Sequence, residues 1–182
     1  MSDDAHLVES RIASDTVFSG KLLEVRRDTV RLPDGGQATR EFVVHPGAVL
    51  IVPVLDDGRL VLERQFRYPV GRVMLEFPAG KIDPGEAPLV TAQRELREEA
   101  GYTGSEWKKL GTLHPEIGYS TEFIDVYEAR GLAFVGASLD DGEFLDVVAM
   151  TEDELLVIYD CGGFTDAKSI AALFAWRRAH GR

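Results

Sequence analysis

Residues 80–102 read GKIDPGEAPLVTAQRELREEAGY, and their pattern predicts a turn that leads into a helix. Pro84 and Gly85 favour the turn, and Pro88 suits the first turn of a helix. Gly101 favours the end of the helix, because glycine readily adopts the left-handed conformation found there. An apolar stripe at helical spacing is expected to face the core. It consists of Leu89, Ala92, Leu96 and Ala100.

The same helix carries a cluster of acidic residues. Glu95, Glu98 and Glu99 are three or four positions apart or adjacent, so a helix brings them together beside Arg94. A divalent cation would relieve their repulsion, and Mg²⁺ commonly binds one or two carboxylates together with substrate phosphates. The alternative is a solvated acidic face on which Arg94 is the counter-charge. From the acidic pattern alone, both interpretations stay open.

Length and composition limit the class of protein. The 182 residues suffice for one domain with a sizeable core and a small appendage. No apolar stretch approaches the roughly 20 residues of a membrane span, and the polar residues 1–11 do not resemble a secretory signal. The single cysteine, Cys161, excludes an intrachain disulfide, and we expect it to fill a small apolar space. These features predict a cytoplasmic protein.

The formal net charge of −11 bears on the partners. Nucleic acids and anionic membranes attract basic surfaces, so neither is expected as a partner. An anionic small substrate is compatible with this charge if a metal ion and a few arginines reverse its sign inside the site.

Turn and strand signals predict the domain organisation. The turn sequence PDGG at residues 33–36 lies between two β-like stretches and predicts a hairpin over residues 25–44. Residues 1–45 are too few for an independent core and should pack on the main domain, residues 46–182, or on a partner subunit. The almost continuous apolar stretch 48–55 predicts a strand covered on both faces. Strands with interspersed helices predict an α/β fold with a mixed sheet.

The spacing of residues 80–102 is specific. Gly80 is followed by five residues, Glu86, seven residues and then RELREEAGY, which matches GX5EX7REUXEEXGU, where U is apolar. The chain therefore resembles the Nudix family. Further segments resemble its ADP-ribose pyrophosphatase branch, namely residues 32–36, 40–49, 64–72, 75–86 and 164–173. The resemblance implies the Nudix fold, an α/β/α sandwich around a mixed β-sheet. It also implies a homodimer in which the N-terminal antiparallel β-hairpin is exchanged and helps to build the substrate site.

The resemblance implies roles for single residues. The implied ligands of Mg²⁺, or of Mn²⁺ in its place, are the Ala79 carbonyl, Glu95, Glu98, Glu99 and Glu143. Glu143, with Asp141 as a second candidate, matches an acidic loop residue that is either a ligand or the general base, and Glu98 is the other candidate base. Glu86 and Arg94 match a carboxylate–guanidinium pair that fixes the loop against the helix.

Four further residues match substrate-contacting positions of the branch. Arg67 matches an arginine that touches the diphosphate, and Phe18 and Arg40 match positions that hold the adenosine end. Glu122 either contacts substrate or caps its own loop.

The implied reaction is Mg²⁺-dependent hydrolysis of ADP-ribose to AMP and ribose 5-phosphate. The runner-up substrate is GDP-mannose or another nucleoside diphosphate sugar, because neighbouring branches share several outer motifs. Ile117 also stands where the branch usually has proline. A Nudix module that senses a nucleotide without cleaving it is a third alternative, but such modules commonly lose the motif glutamates that this chain keeps.

Overall fold

The computed structural model describes residues 4–139 and 141–182. The chain forms two compact units. The first comprises the chain up to Pro46 together with Glu116–Glu122, and the second comprises Gly47–Pro115 and Phe123–Arg182. Among the described residues, no helix has the length and apolar character needed to cross a membrane.

The first unit is a three-stranded antiparallel sheet preceded by a short 3-10 helix, Ala5–Leu7. Its strands are β1 (Ser10–Ser19), β2 (Glu24–Arg31) and β3 (Gln37–Val44). The predicted hairpin is present, because Val25 pairs with Val43 across β2 and β3. All ten residues of β1 are exposed within the single chain.

The described residues of the second unit form seven strands and three helices. The strands are β4 (Ala48–Pro53), β5 (Leu60–Arg67), β6 (Arg72–Glu76), β7 (Ala79–Lys81), β8 (Tyr102–Leu113), β9 (Ile124–Phe134) and β10 (Leu145–Met150). The helices are α1 (Pro88–Glu98), α2 (Glu152–Asp160) and α3 (Ala167–Ala179). One sheet has the order β7-β4-β9-β8 and is mixed, since β4 and β9 are parallel. The other is antiparallel, with the order β10-β5-β6.

Strand β4 lies at the centre of the core, and all six of its residues are buried. Val49 and Ile51 belong to one apolar cluster with Leu96 of α1. Leu50 and Val52 point to the other face and belong to a second cluster, which includes Trp176 of α3. Helices therefore cover both faces of this strand, which confirms the predicted α/β/α layering and explains the apolar sequence.

Helix α1 follows the predicted bounds closely. It begins at Pro88, and Gly101 just beyond its end has a φ of +75°. Its apolar stripe is buried except for Leu89, which lies in the first turn and is 38% exposed. The interpretation of Cys161 was wrong, because this residue is exposed where the chain leaves α2 and turns at Gly162.

Candidate active site

Arg94 is the centre of an ion-pair cluster on α1. Its Nη2 donates to Oε2 of Glu86 at 3.0 Å, and its Nη1 donates to Oε1 of Glu95 at 2.7 Å and to Oε2 of Glu98 at 3.2 Å. Nη2 also reaches the Lys81 carbonyl at 3.3 Å. One guanidinium therefore joins the loop after β7 to three carboxylates around α1.

Glu86 is fixed from two sides. It accepts hydrogen bonds from Arg94 and from the Thr91 hydroxyl, the latter at 2.8 Å. These bonds, with the one from Arg94 contributing most, lower the pKa of Glu86. The carboxylate is thus held ionised between the loop and the first turn of the helix.

Glu99 lies deeper than the other acidic residues of the motif and is only 6% exposed. It accepts a hydrogen bond from the Ala79 backbone N–H at 3.0 Å. Burial raises its pKa to about 10, and the charges of Glu63, Glu95 and Glu143 add to the shift. The shift arises because little water reaches Glu99 and because other carboxylates lie near it.

Two polar residues of β5 were missed by the sequence analysis. Glu63 is fully buried, and neither carboxylate oxygen accepts a hydrogen bond from a described residue. Burial, followed by the charge of Glu76, raises the pKa of Glu63 to about 8. Gln65 donates to Oε1 of Glu143 at 3.2 Å, while its own side-chain oxygen is buried without a partner among the described residues. The available signal was an acidic residue directly after the apolar run LVL at residues 60–62.

Arg67 is held by Glu76, a buried residue that the sequence analysis also missed. Its Nε and Nη2 donate to the two oxygens of Glu76 at 2.7 and 2.8 Å. Lys168 of α3 donates to the same carboxylate at 2.6 Å and to Asp166 at 2.8 Å. Arg67 is nevertheless 38% exposed at its side chain, so its contact with a diphosphate stays a prediction.

The donor chemistry of this region fits a divalent cation. Its carboxylates supply the oxygen ligands that hard cations prefer, and a cation would offset the burial and the repulsion that raise the pKa values of Glu63 and Glu99. In residues 4–139 and 141–182, however, no three acidic or histidine side chains are already close enough to form a coordination group. Glu95 and Glu98 are occupied by Arg94, and Glu99 is occupied by the Ala79 amide.

The remaining predicted residues lie elsewhere in the chain. Glu143 precedes β10 and belongs to the second unit, like the motif helix. Phe18, Arg40 and Glu122 belong to the first unit. Phe18 is 55% exposed on β1, Arg40 donates to Glu9 at 3.0 Å, and Glu122 is 3.8 Å from His45. The structure thus brings together Glu86, Arg94, Glu95 and Glu98, while the assigned catalytic and binding roles stay predictions.

Two family models match this chain. The model described as NUDIX domain matches residues 44–173. The model described as nucleoside diphosphate sugar hydrolase N-terminal domain matches residues 9–43. The two matches together extend over most of both units.

Individual proteins are similar along nearly the whole chain. An ADP-ribose pyrophosphatase of Bacillus subtilis is 37% identical over 169 residues, which cover 92% of this chain and 91% of that protein. A methanol dehydrogenase activator of Bacillus methanolicus is 36% identical over 167 residues, covering 91% and 90%. The crystal structure of an ADP compounds hydrolase superimposes with a TM-score of 0.84 at 27% identity, covering 97% of this chain and 98% of that one.

Proposed function

Because the chain belongs to the Nudix family, we propose that it hydrolyses ADP-ribose to AMP and ribose 5-phosphate with the help of Mg²⁺ or Mn²⁺. Water adds across the diphosphate, so one P–O bond of the bridge breaks and each product keeps one phosphate. The observation that carries the proposal is the cluster in which Arg94 joins Glu86, Glu95 and Glu98, beside the buried carboxyl group of Glu99 in the same motif.

The proposed cation ligands are the Ala79 carbonyl, Glu95, Glu98, Glu99 and Glu143. When bound, the metal supplies charge neutralisation on the diphosphate and makes water a better nucleophile near neutral pH. The chain's own contribution is orientation. Arg94 ties the loop carboxylate Glu86 to α1, and the Ala79 amide fixes one oxygen of Glu99. These contacts hold the ligand-bearing segments in place before substrate arrives.

Glu143 is proposed either to hold the cation or to act as the general base, and in the second role it is preferred to Glu98. Gln65 donates a hydrogen bond to it and orients it, whereas Glu98 is engaged by the guanidiniums of Arg94 and Arg97, at 3.2 and 3.1 Å. These two contacts engage both carboxylate oxygens of Glu98, which makes them less available to accept a proton from water. Glu98 is therefore assigned to holding the metal or orienting water, and Glu86 and Arg94 to positioning.

The names of similar proteins support ADP-ribose as the substrate. They include an ADP-ribose pyrophosphatase and an ADP compounds hydrolase, and they agree with the activity predicted from the sequence. The alternative remains GDP-mannose or another nucleoside diphosphate sugar, since the N-terminal family model is described only as a nucleoside diphosphate sugar hydrolase domain. Retention of the motif glutamates argues against a non-catalytic sensor.

We also propose a homodimer that exchanges its N-terminal hairpin and works in the cytoplasm without nucleic acid. The exposure of β1 supports this assembly, because Ile12, Val17 and Phe18 are each at least 44% exposed in the single chain. Apolar side chains on an outer strand are expected to be covered by protein. Phe18 and Arg40 are then proposed to reach the adenosine end of the substrate. Light scattering behind size-exclusion chromatography checks the dimer, and a monomeric mass contradicts it.

The deciding experiment measures AMP release from ADP-ribose beside GMP release from GDP-mannose at equal concentration, with and without a chelator. We expect metal-dependent AMP release that exceeds the rate with GDP-mannose. A faster reaction with GDP-mannose would make GDP-mannose the assigned substrate and leave the proposed diphosphate hydrolysis unchanged. Tight binding of ADP-ribose with no hydrolysis of either compound would show a sensor and refute the enzyme.

A further inference from the structure

Glu63 differs from the other buried carboxylates of the second unit. Glu76, its cross-strand partner on β6, is neutralised by Arg67 and Lys168 and makes three hydrogen bonds with them. Glu63 is as deeply buried, yet no described residue donates a hydrogen bond to either of its oxygens. Buried carboxylates held only for stability are normally paired, so the two neighbours call for different explanations.

The register of β5 determines where Glu63 points. Side chains alternate along a strand, so Glu63 shares a face with Val61 and Gln65. Val61 belongs to the apolar cluster that contains Ala92 and Leu96 of α1. Glu63 therefore lies on the face of β5 that contributes Val61 to the apolar cluster of the acidic motif helix.

The surroundings of Glu63 are those of the proposed cation site. Glu63 interacts electrostatically with Glu99 and with Glu143, two of the proposed cation ligands. Gln65, the next residue on the same face, holds Glu143 and has its own unpartnered buried oxygen. Arg67 and Lys168 attract Glu63 electrostatically, but both bind Glu76 instead. Glu63 thus adds two oxygen atoms, which accept no hydrogen bond from a described residue, to a region that already contains several carboxylates.

We propose that Glu63 is a further carboxylate of the divalent-cation site, contributed by β5 and facing the motif helix across the core. This assignment rests on the metal site of the proposed function. It adds an oxygen donor that lies outside residues 80–102 and that pairs with neither arginine nor lysine. The cation would neutralise Glu63 in the way that Arg67 and Lys168 neutralise Glu76.

The test is calorimetric titration of Mn²⁺ into metal-free protein, which needs no substrate. Glu63→Gln keeps the size of the side chain and removes its charge, and Glu63→Val extends the apolar face of Val61. Glu106→Gln is the matched control, because it removes one carboxylate from an exposed position on β8. We expect Glu63→Gln to weaken Mn²⁺ binding by about tenfold or more, with a larger loss for Glu63→Val and no change for the control.

Other outcomes overturn the assignment. Unchanged affinity in Glu63→Gln would mean that the carboxyl is a neutral structural group. An equal loss of Mn²⁺ affinity in Glu63→Gln and Glu106→Gln would show that the effect comes only from the change in net charge. Melting of the metal-free variants is followed in parallel, and we expect Glu63→Gln to melt no lower than wild type because it replaces an unpartnered buried ionisable group with a neutral amide of the same size.

The assay separates this inference from the proposed function. Wild-type protein that releases AMP from ADP-ribose while Glu63→Gln binds Mn²⁺ normally would refute the role of Glu63 alone. Glu63-dependent Mn²⁺ binding without release of AMP from ADP-ribose or of GMP from GDP-mannose would refute the proposed hydrolase and leave the cation site in place.

Discussion

The carboxylate of Glu95 lies directly against the α-carbon of Gly80, so that a methyl group added at position 80 would be 2.0 Å from the Glu95 carboxyl carbon. Gly80 does not have a positive φ. The requirement for glycine therefore comes from close approach and not from backbone conformation. This contact explains why the motif begins with glycine fifteen positions before its second glutamate.

Gly80→Ala is expected to displace Glu95 without unfolding the chain. The obstructing atoms are at the end of a flexible side chain, so the free energy of unfolding should change by no more than about 1 kcal/mol. Turnover should fall by about a hundredfold, because a displacement of about 1 Å can cost that much. Gly111→Ala is the control, since nothing lies within 4 Å of a methyl group there. Steady-state kinetics and thermal melting check both variants, and equal turnover would contradict the expected displacement.

Glu99→Gln is expected to abolish most activity while the fold survives. The amide oxygen of glutamine can still accept the hydrogen bond from Ala79, but the charge that a divalent cation needs is gone. Loss of several kcal/mol of transition-state stabilisation corresponds to on the order of a thousandfold in turnover. The measurement is AMP release at saturating Mg²⁺, with a melting curve as the check on folding. Near-normal turnover would refute the mechanism centred on this helix.

Arg94→Lys should destabilise the metal-free protein. Lysine cannot reproduce the planar fork that contacts Glu86, Glu95 and Glu98 together, and hydrogen bonds to charged groups are worth about 2 kcal/mol each. We expect a loss of about 2 kcal/mol in urea unfolding, and a smaller loss in Mg²⁺ because the cation compensates the released carboxylates. Arg97→Lys is the control, since Arg97 is 55% exposed and pairs with Glu98. Equal effects of the two substitutions would contradict the central role of Arg94.

Glu76→Gln should be the most destabilising of the single charge removals. Glu76 is 1% exposed and neutralises both Arg67 and Lys168, so its loss leaves two basic groups without their buried partner. Breaking such a pair costs about 3 kcal/mol or more. Glu41→Gln breaks an exposed pair with Arg27 and should cost less than about 1 kcal/mol. Urea unfolding of both variants makes the comparison. Similar midpoints would show that the buried ion pairs of Glu76 contribute no more to the free energy of unfolding than an exposed pair.

Metal-free protein should lose stability as the pH rises. The pKa of Glu63 is raised from 4.5 to about 8 and that of Glu99 from 4.5 to about 10. Between pH 4.5 and 8, the folded state therefore binds more protons than the unfolded state, and unfolding becomes easier by up to about 1.4 kcal/mol per pH unit for each group. Melting temperatures at pH 5.5 and 8 in a chelator measure the slope. Glu99→Gln should flatten it, and an unchanged slope in that variant would rule out Glu99 as its source.

The local elements follow directly from the amino-acid pattern. The hairpin of β2 and β3, the buried strand β4 and the bounds of α1 were all predicted, because turn residues, apolar runs and helical periodicity act between near neighbours. The grouping of Glu86 and Arg94 with Glu95 and Glu98 also depends on short spacing around one helix. The family was predicted from residues 80–102 because its motif is a local pattern, and the family match over residues 44–173 confirmed it.

The polar interior was decided by the tertiary structure. Lys168 reaches Glu76 across 92 positions and Gln65 reaches Glu143 across 78, distances at which no local pattern indicates contact. Leu89 and Cys161 were expected to be buried, yet both are exposed. Leu89 lies in the first turn of α1 and Cys161 directly follows the end of α2, and neither position lies on a packed face. Glu63 looks in the sequence like an ordinary polar residue at the end of an apolar run. Only the tertiary structure buries it beside other carboxylates, since burial and electrostatic repulsion depend on which surfaces meet and not on which residues are adjacent in the chain.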